Sequence, residues 1–242
     1  VIRRARRQAG DLDTRRGSQS AEHTKQCPAA VHNSNFPLAL GAYNVLREVA
    51  KSVETLRGVY VLGKAATLNA SIGDIMISNV VYDEHSENTY WLDNCFSFSS
   101  VAPFLVYGSA LDNQRAVTVR GTFLQNRGYL DFYHRESFTV VEMEAGPYLN
   151  ALYETTESSR YPMRDNLNFT KLPTDFGHSH YAPDTPYTRA RPLPAPRAPH
   201  AGHPPPPPPT PPALRRILAQ ESILTTDLAA PRWADAEARQ GA

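Results

Sequence analysis

Two glutamates, Glu142 and Glu144, flank Met143 in the run FTVVEMEAGPYL that extends from Phe138 to Leu149. Carboxylates so close together can accept hydrogen bonds from a vicinal diol, such as the 2′ and 3′ hydroxyls of ribose, if the chain delivers them to the open end of a sheet. The β-favouring residues Phe138, Thr139, Val140 and Val141 predict a buried strand, and the apolar spacing from Glu142 to Tyr153 predicts a helix after it. In α/β proteins such strand-to-helix junctions are where ligands bind. The competing reading is an acid placed in a first helical turn by the macrodipole, and these residues taken alone favour it.

Upstream, the stretch LRGVYVLGKAATLNASIGDIMISNVVYDEHS predicts a strand from Val59 to Leu62, a small-residue turn from Gly63 to Thr67 and a second strand from Asp74 to Tyr82. A turn of Gly63, Ala65 and Thr67 lets backbone N–H groups approach a phosphate or sugar oxygens. Lys64 within it supplies a positive charge for an anion. The order of this turn, the GDIMIS strand and the VVEMEA junction resembles the nucleoside phosphorylase and nucleosidase superfamily, purine and uridine phosphorylases among them. The matching segments are Gly63-Lys64-Ala65-Ala66, Gly73-Asp74-Ile75-Met76-Ile77, Val141-Glu142-Met143-Glu144-Ala145 and Pro183-Asp184, and the likeness covers Phe36 to Arg191.

The resemblance implies a three-layer αβα sandwich around a central mixed sheet, and cleavage of the N-glycosidic bond of a purine nucleoside or nucleotide. It implies that Met143 and Glu144 hold the ribose beside Glu142, that Asp184 protonates the leaving base, and that Phe123 in RGTFLQN stacks on that base. Such a bond breaks through an oxocarbenium-like state, so the departing base needs a proton and the sugar cation needs a negative neighbour. Asp184 would meet the first need as general acid and Glu144 the second. His85, after the second strand, would sit near the pocket mouth and contact sugar hydroxyls.

The departures from the superfamily pattern are specific. Lys64 and Ala65 replace a small polar pair, Gly146-Pro147 follows EMEA, and Pro183 precedes Asp184 where Ser is common. Pro147 is tolerated in a first helical turn, and Pro183 pushes Ala182 towards extended geometry. A phosphorylase needs a cationic phosphate site, best made with Arg. Lys64, Arg120 and Arg127 are the candidates, and no Arg adjoins Gly63, so hydrolysis is the favoured reading. Phosphorolysis, with phosphate as co-substrate, stays open through Lys64. No cofactor is expected. A non-catalytic nucleoside-binding or interaction protein is the remaining alternative.

Both ends of the chain depart from the pattern. Residues 1–33 are basic, polar and without periodicity, and the superfamily's first strand and glycine turn are not found before Phe36, which reads as a truncated member. Residues 34–191 are the expected α/β core. Residues 192–213 are Pro-rich, read either as a polyproline II spacer or as the product of a local frame shift. Spacing of Leu214, Ile217 and Leu218 predicts a closing helix over 214–224, with a tail over 225–242.

A net charge of +1 over 242 residues gives no electrostatic case for nucleic acid. Arg3, Arg4, Arg6, Arg7, Arg15 and Arg16 read as a solvated tail. Cys27 and Cys95 make neither a disulfide framework nor a zinc site, and no run reaches membrane-spanning length. The expectation is a cytoplasmic homo-oligomer without a membrane partner. Asp83, Glu84 and His85 together with His178 and His180 lack a recognised metal spacing, so no metal is expected. Ser100 and Ser109 have no nucleophile elbow around them.

Further elements are expected over Phe36 to Leu56 (helix), Val117 to Phe123 (strand), and His178 to Ala182 (strand). Tyr90, Trp91, Phe96 and Phe98, between Asp83 and Gln114, are divided evenly between core and interface readings.

Overall fold

A computed structural model describes residues 29–34, 38–105, 108–121, 126–157, 162–183 and 210–221. The chain is a mixed α/β protein whose sheet curls back on itself. Helix α1 (Leu40–Lys51) precedes β1 (Gly58–Lys64) and β2 (Ala66–Thr67), followed by β3 (Ile75–Asp83) and β4 (Asn88–Leu92). A short helix α2 (Phe98–Val101) runs into a 3₁₀ turn (Ala102–Phe104) and then β5 (Ala110–Thr118). Helix α3 (Arg127–Arg135), strand β6 (Val140–Glu142), helix α4 (Ala145–Thr156), strands β7 (Asn166–Phe169) and β8 (Asp175–Tyr181), and helix α5 (Thr210–Gln220) complete the order.

The strands lie in the order β1-β8-β3-β5-β6-β2, with β4 and β7 extending from β3. Only Ala65 separates β1 from β2, yet β1 pairs with β8 in parallel while β2 pairs with β6 antiparallel. One bent stretch of chain therefore joins the two ends of the sheet, and closure of this kind removes exposed edges. The segment expected to be a ligand-cradling turn, Gly63 to Thr67, is this strand. Gly63 and Lys64 continue the ladder to His180 and Tyr181, and the Ala65 N–H donates to the Tyr181 carbonyl at 3.2 Å. The small residues have a packing cause, since a Cβ on Gly63 would lie 3.2 Å from the ring of His180.

The other expected elements shift at their ends. Helix α1 stops at Lys51, short of the expected Leu56, because Ser52 caps it, its hydroxyl donating back to the Glu48 carbonyl at 2.7 Å. Strand β5 begins well before the expected Val117, its half-exposed Asp112, Gln114 and Arg115 having hidden the pattern. Strand β8 likewise starts before His178, at Asp175. The closing helix begins at Thr210, inside the Pro-rich stretch, with Pro211 and Pro212 in its first turn, where missing N–H groups cost nothing. It docks through a two-pronged ion pair from Arg216 to Asp175, both contacts 3.0 Å, and buries Ala213 against Ile75, Ile77 and Phe96. Tyr90 and Phe96 belong to the core, whereas Trp91 and Phe98 are half exposed.

Parallel strands β3, β5 and β6 carry their last residues in one register row, Asp83 opposite Thr118 and Thr118 opposite Glu142. Helix α4 starts directly over that row, with Met76, Val81, Ala116, Val140, Leu149 and Leu152 in the main core beneath it. Gly146 is what allows the approach, since a Cβ there would lie 2.5 Å from Asp83 Cβ. Replacing Gly146→Ala is expected to cost about 1–3 kcal/mol through overpacking, read as a lower urea midpoint at constant slope; an unchanged midpoint would contradict the close packing of α4 on β3.

Candidate functional site

The row at the strand ends is polar yet sealed, with Asp83 and Thr118 fully buried and Glu142 3% exposed. Buried polar atoms need partners, and each of these has them. Glu142 Oε2 accepts from the N–H groups of Glu144 and Ala145, both at 2.7 Å, while Oε1 accepts from the Thr118 hydroxyl. Thr118 Oγ1 in turn accepts from the Gly146 N–H at 2.9 Å. The unpaired donors of the first turn of α4 are thus satisfied from within, and Pro147 in that turn has none to satisfy. Asp83 holds the following turn, accepting from the Ser86 hydroxyl at 2.6 Å and contacting His85 Nδ1 at 2.9 Å.

Burial pushes the Glu142 carboxyl up to about 7, against the pull of its three hydrogen bonds. Its neighbour Glu144 is half-buried and also raised, burial again being the main cause. The Glu144 carboxylate accepts a long hydrogen bond from the Ala39 N–H ahead of α1, at 3.4 Å. Met143 is partly buried and packs with the cluster of Leu68, Val117, Val119 and Leu130. The EMEA motif therefore divides its work, with Glu142 bound to the helix start and Glu144 lying between the beginnings of α1 and α4.

The remaining sequence candidates are distributed as follows. Gly63 packs on His180, Ala65 is buried, and Thr67 accepts from the Ala70 N–H at 2.8 Å. Lys64 is exposed, with its ammonium 5.7 Å from the Tyr181 ring centroid. Arg120 is anchored on the Glu84 backbone carbonyl at 2.5 Å, and its backbone N–H donates to the Glu84 carboxylate at 2.9 Å. Arg127 opens α3. Phe123 and Asp184 lie outside the described residues. The GDIMIS motif plays a structural part, because the Asp74 carboxylate accepts from the N–H groups of Ser109 and Ser71, at 2.8 and 2.9 Å. The Ala182 N–H donates to the Asp74 carbonyl at 2.9 Å, which fixes the exit of β8 ahead of Pro183.

Two histidines meet a partner that their sequence grouping did not indicate. His178 and His180, fully buried on one face of β8, adjoin Glu142 rather than Asp83, Glu84 and His85, and the nearest donor atoms of the three lie within 4.8 Å of one another. Their rings meet edge to face at 4.6 Å. Burial lowers both, His180 to about 4, so both are neutral. The alternation His178-Ser179-His180 on a strand is the signal that puts two rings on one face; the partner on β6 has no local signal. An open hollow of about 790 Å³ lies elsewhere, lined by Tyr82, Glu84, Arg120, Tyr129, Phe132 and Tyr133, and includes neither Glu142 nor Glu144.

The chain belongs to the Family of unknown function (DUF6909), whose model matches residues 1–219. No curated relative matches the sequence. A similar solved structure is AMP nucleosidase from Bacteroides thetaiotaomicron VPI-5482, at 12% identity and a TM-score of 0.43, covering 60% of each chain. The chain thus spans 60% of the length of that structure, and a likeness of this extent has no bearing on activity. Among the described residues no helix is long and apolar enough to cross a membrane.

Thr118 is the joint between strand and helix in this site. Thr118→Val keeps its shape but removes the donor to Glu142 and the acceptor for Gly146, leaving buried groups unpaired at about 1–3 kcal/mol. A drop of that size in unfolding free energy is the expected result, and a neutral substitution would show that the hydroxyl is dispensable.

Proposed function

We propose that this chain cleaves the N-glycosidic bond of a purine nucleoside or nucleotide by hydrolysis. The observation that supports this most is the position of Glu144, a half-buried carboxylate just past the carboxyl end of a parallel strand, which among the described residues accepts from the backbone N–H groups of Ala39 and Met143 and keeps further lone pairs for a ligand. Such a group can accept from both hydroxyls of a ribose and stabilise positive charge developing at the anomeric carbon. Glu142 would act as a positioning residue, since its oxygens hold the helix start from which Glu144 projects. The exposed part of Met143 would pack against the sugar from the neighbouring side, and His85 would contact a hydroxyl from the end of β3.

Asp184 would deliver the proton to the departing base, and Phe123 would stack on it. Water is favoured over phosphate as nucleophile. Gly63, Lys64 and Ala65 follow the strand path, Gly63 and Lys64 are engaged in its ladder, and Lys64 faces an aromatic ring, so no anion cradle forms there. The proposal carries with it the αβα layering of the resembled superfamily, a homo-oligomer and a cytoplasmic setting. Phosphorolysis would require a cation delivered to the site from another segment.

The full chain incubated with a panel of purine nucleosides and nucleotides, with and without phosphate, should release free base in both conditions. Glu144→Gln is expected to lower that rate by about a hundred- to a thousand-fold, and Asp184→Asn by about a hundred- to ten-thousand-fold. Release only with phosphate would convert the reading to a phosphorylase. No release by folded protein that still binds a nucleoside would leave a binding protein.

A further inference from the structure

The buried group formed by Glu142, His178 and His180 has histidines that the proposed glycosidic chemistry does not use. Among the described residues, neither ring nitrogen of His178 has a hydrogen-bond partner, and Nδ1 of His180 has none either. Leaving a buried donor or acceptor unpaired costs about 1–3 kcal/mol each, so unpaired nitrogens on adjacent rings point to a missing common partner. A water can serve one or two such atoms. Two neutral imidazoles facing a carboxylate offer lone pairs to a single centre, which is what a cation uses.

Donor counting supports a cation. Glu142 Oε2 already accepts two N–H groups, but among the described residues Oε1 accepts only the Thr118 hydroxyl, which leaves one of its two lone pairs for an ion. Ligand atoms around a tetrahedral zinc-like ion stand about 3.4 Å apart, given metal–ligand bonds of about 2.0–2.1 Å. The donor atoms of Glu142, His178 and His180 already lie within 4.8 Å of one another, so at most about 1.4 Å of closure separates any pair from that geometry. Two nitrogens and one oxygen suit a first-row transition cation and disfavour calcium or magnesium, which take all-oxygen shells. The Thr118 hydroxyl and the α4 N–H groups orient the carboxylate from behind, as outer partners of metal ligands do.

We propose that Glu142, His178 and His180 bind one divalent transition-metal ion, of which zinc fits the donor set best. The ion ties β8 to β6 across the bend at Ala65, where the sheet closes, and so stabilises the closure. Binding to the folded state alone raises apparent stability with metal concentration.

The test uses the full chain, stripped with chelator and titrated with Zn²⁺ or with Co²⁺ as spectroscopic probe, with metal content measured after desalting. One equivalent retained, a rise in Tm reversed by chelator, and visible Co²⁺ bands of a tetrahedral site are expected, with no response to Mg²⁺ or Ca²⁺. His178→Phe fills the same space without a ligand and should abolish retention, whereas His134→Ala, on the surface, should keep it. If His178→Phe does not fold, the near-isosteric Glu142→Gln decides, with retention expected to fall at least about ten-fold. Folded chain that retains no metal, or metal retained undiminished by the folded His178 or Glu142 variant, overturns the proposal.

Discussion

The carboxylate of Glu142 holds the start of α4 against the ends of β5 and β6, and the geometry of the whole upper face follows from that grip. Its three hydrogen bonds set the direction in which α4 leaves the sheet. That direction places Leu149 and Leu152 over the main core and Glu144 beside α1. A sealed carboxylate is costly unless its charge is matched. Here the helix start provides partial positive charge, yet burial still dominates and raises the group. The nearby imidazoles, both neutral, add no compensating charge. A tension of this kind persists where the group does something beyond holding a helix.

Two constraints act on the same few residues. The close approach of α4 requires Gly146 over Asp83, and the closing strand passes tightly against His180 at Gly63. Glycine thus serves proximity at both places, the helix coming down on the sheet and one strand fitting beside a ring. The interior around Thr118, Glu142, His178 and His180 is assembled from three strands, β5, β6 and β8, with no single segment supplying the chemistry.

That distribution explains what could be read from the chain. Strands β1 and β3 and the β6-to-α4 junction carry strong local patterns, and their existence and order follow from β-branched runs and from Glu142 followed by an apolar helix face. The proline in the first turn of α4 was also interpretable locally. Gly63 to Thr67 misled because small residues mark both turns and close packing, and only the pairing partner His180 tells them apart. The beginning of β5 was masked by polar side chains that pack at the rim. His178 and His180 were visible as an alternating pair, but their encounter with Glu142 depends on sheet closure, a long-range event that spacing along the chain does not encode.

The bent strand has a consequence during synthesis. The Tyr60 hydroxyl of β1 donates to Asp175 of β8, 115 residues away, so β1 leaves the ribosome long before the strand that completes its ladder. Until then β1 presents unsatisfied backbone groups that invite pairing with other chains. A nascent chain stalled or cleaved before β8 emerges would retain that open ladder, and slow non-local closure of this kind is the step at which a chaperone would have most to protect.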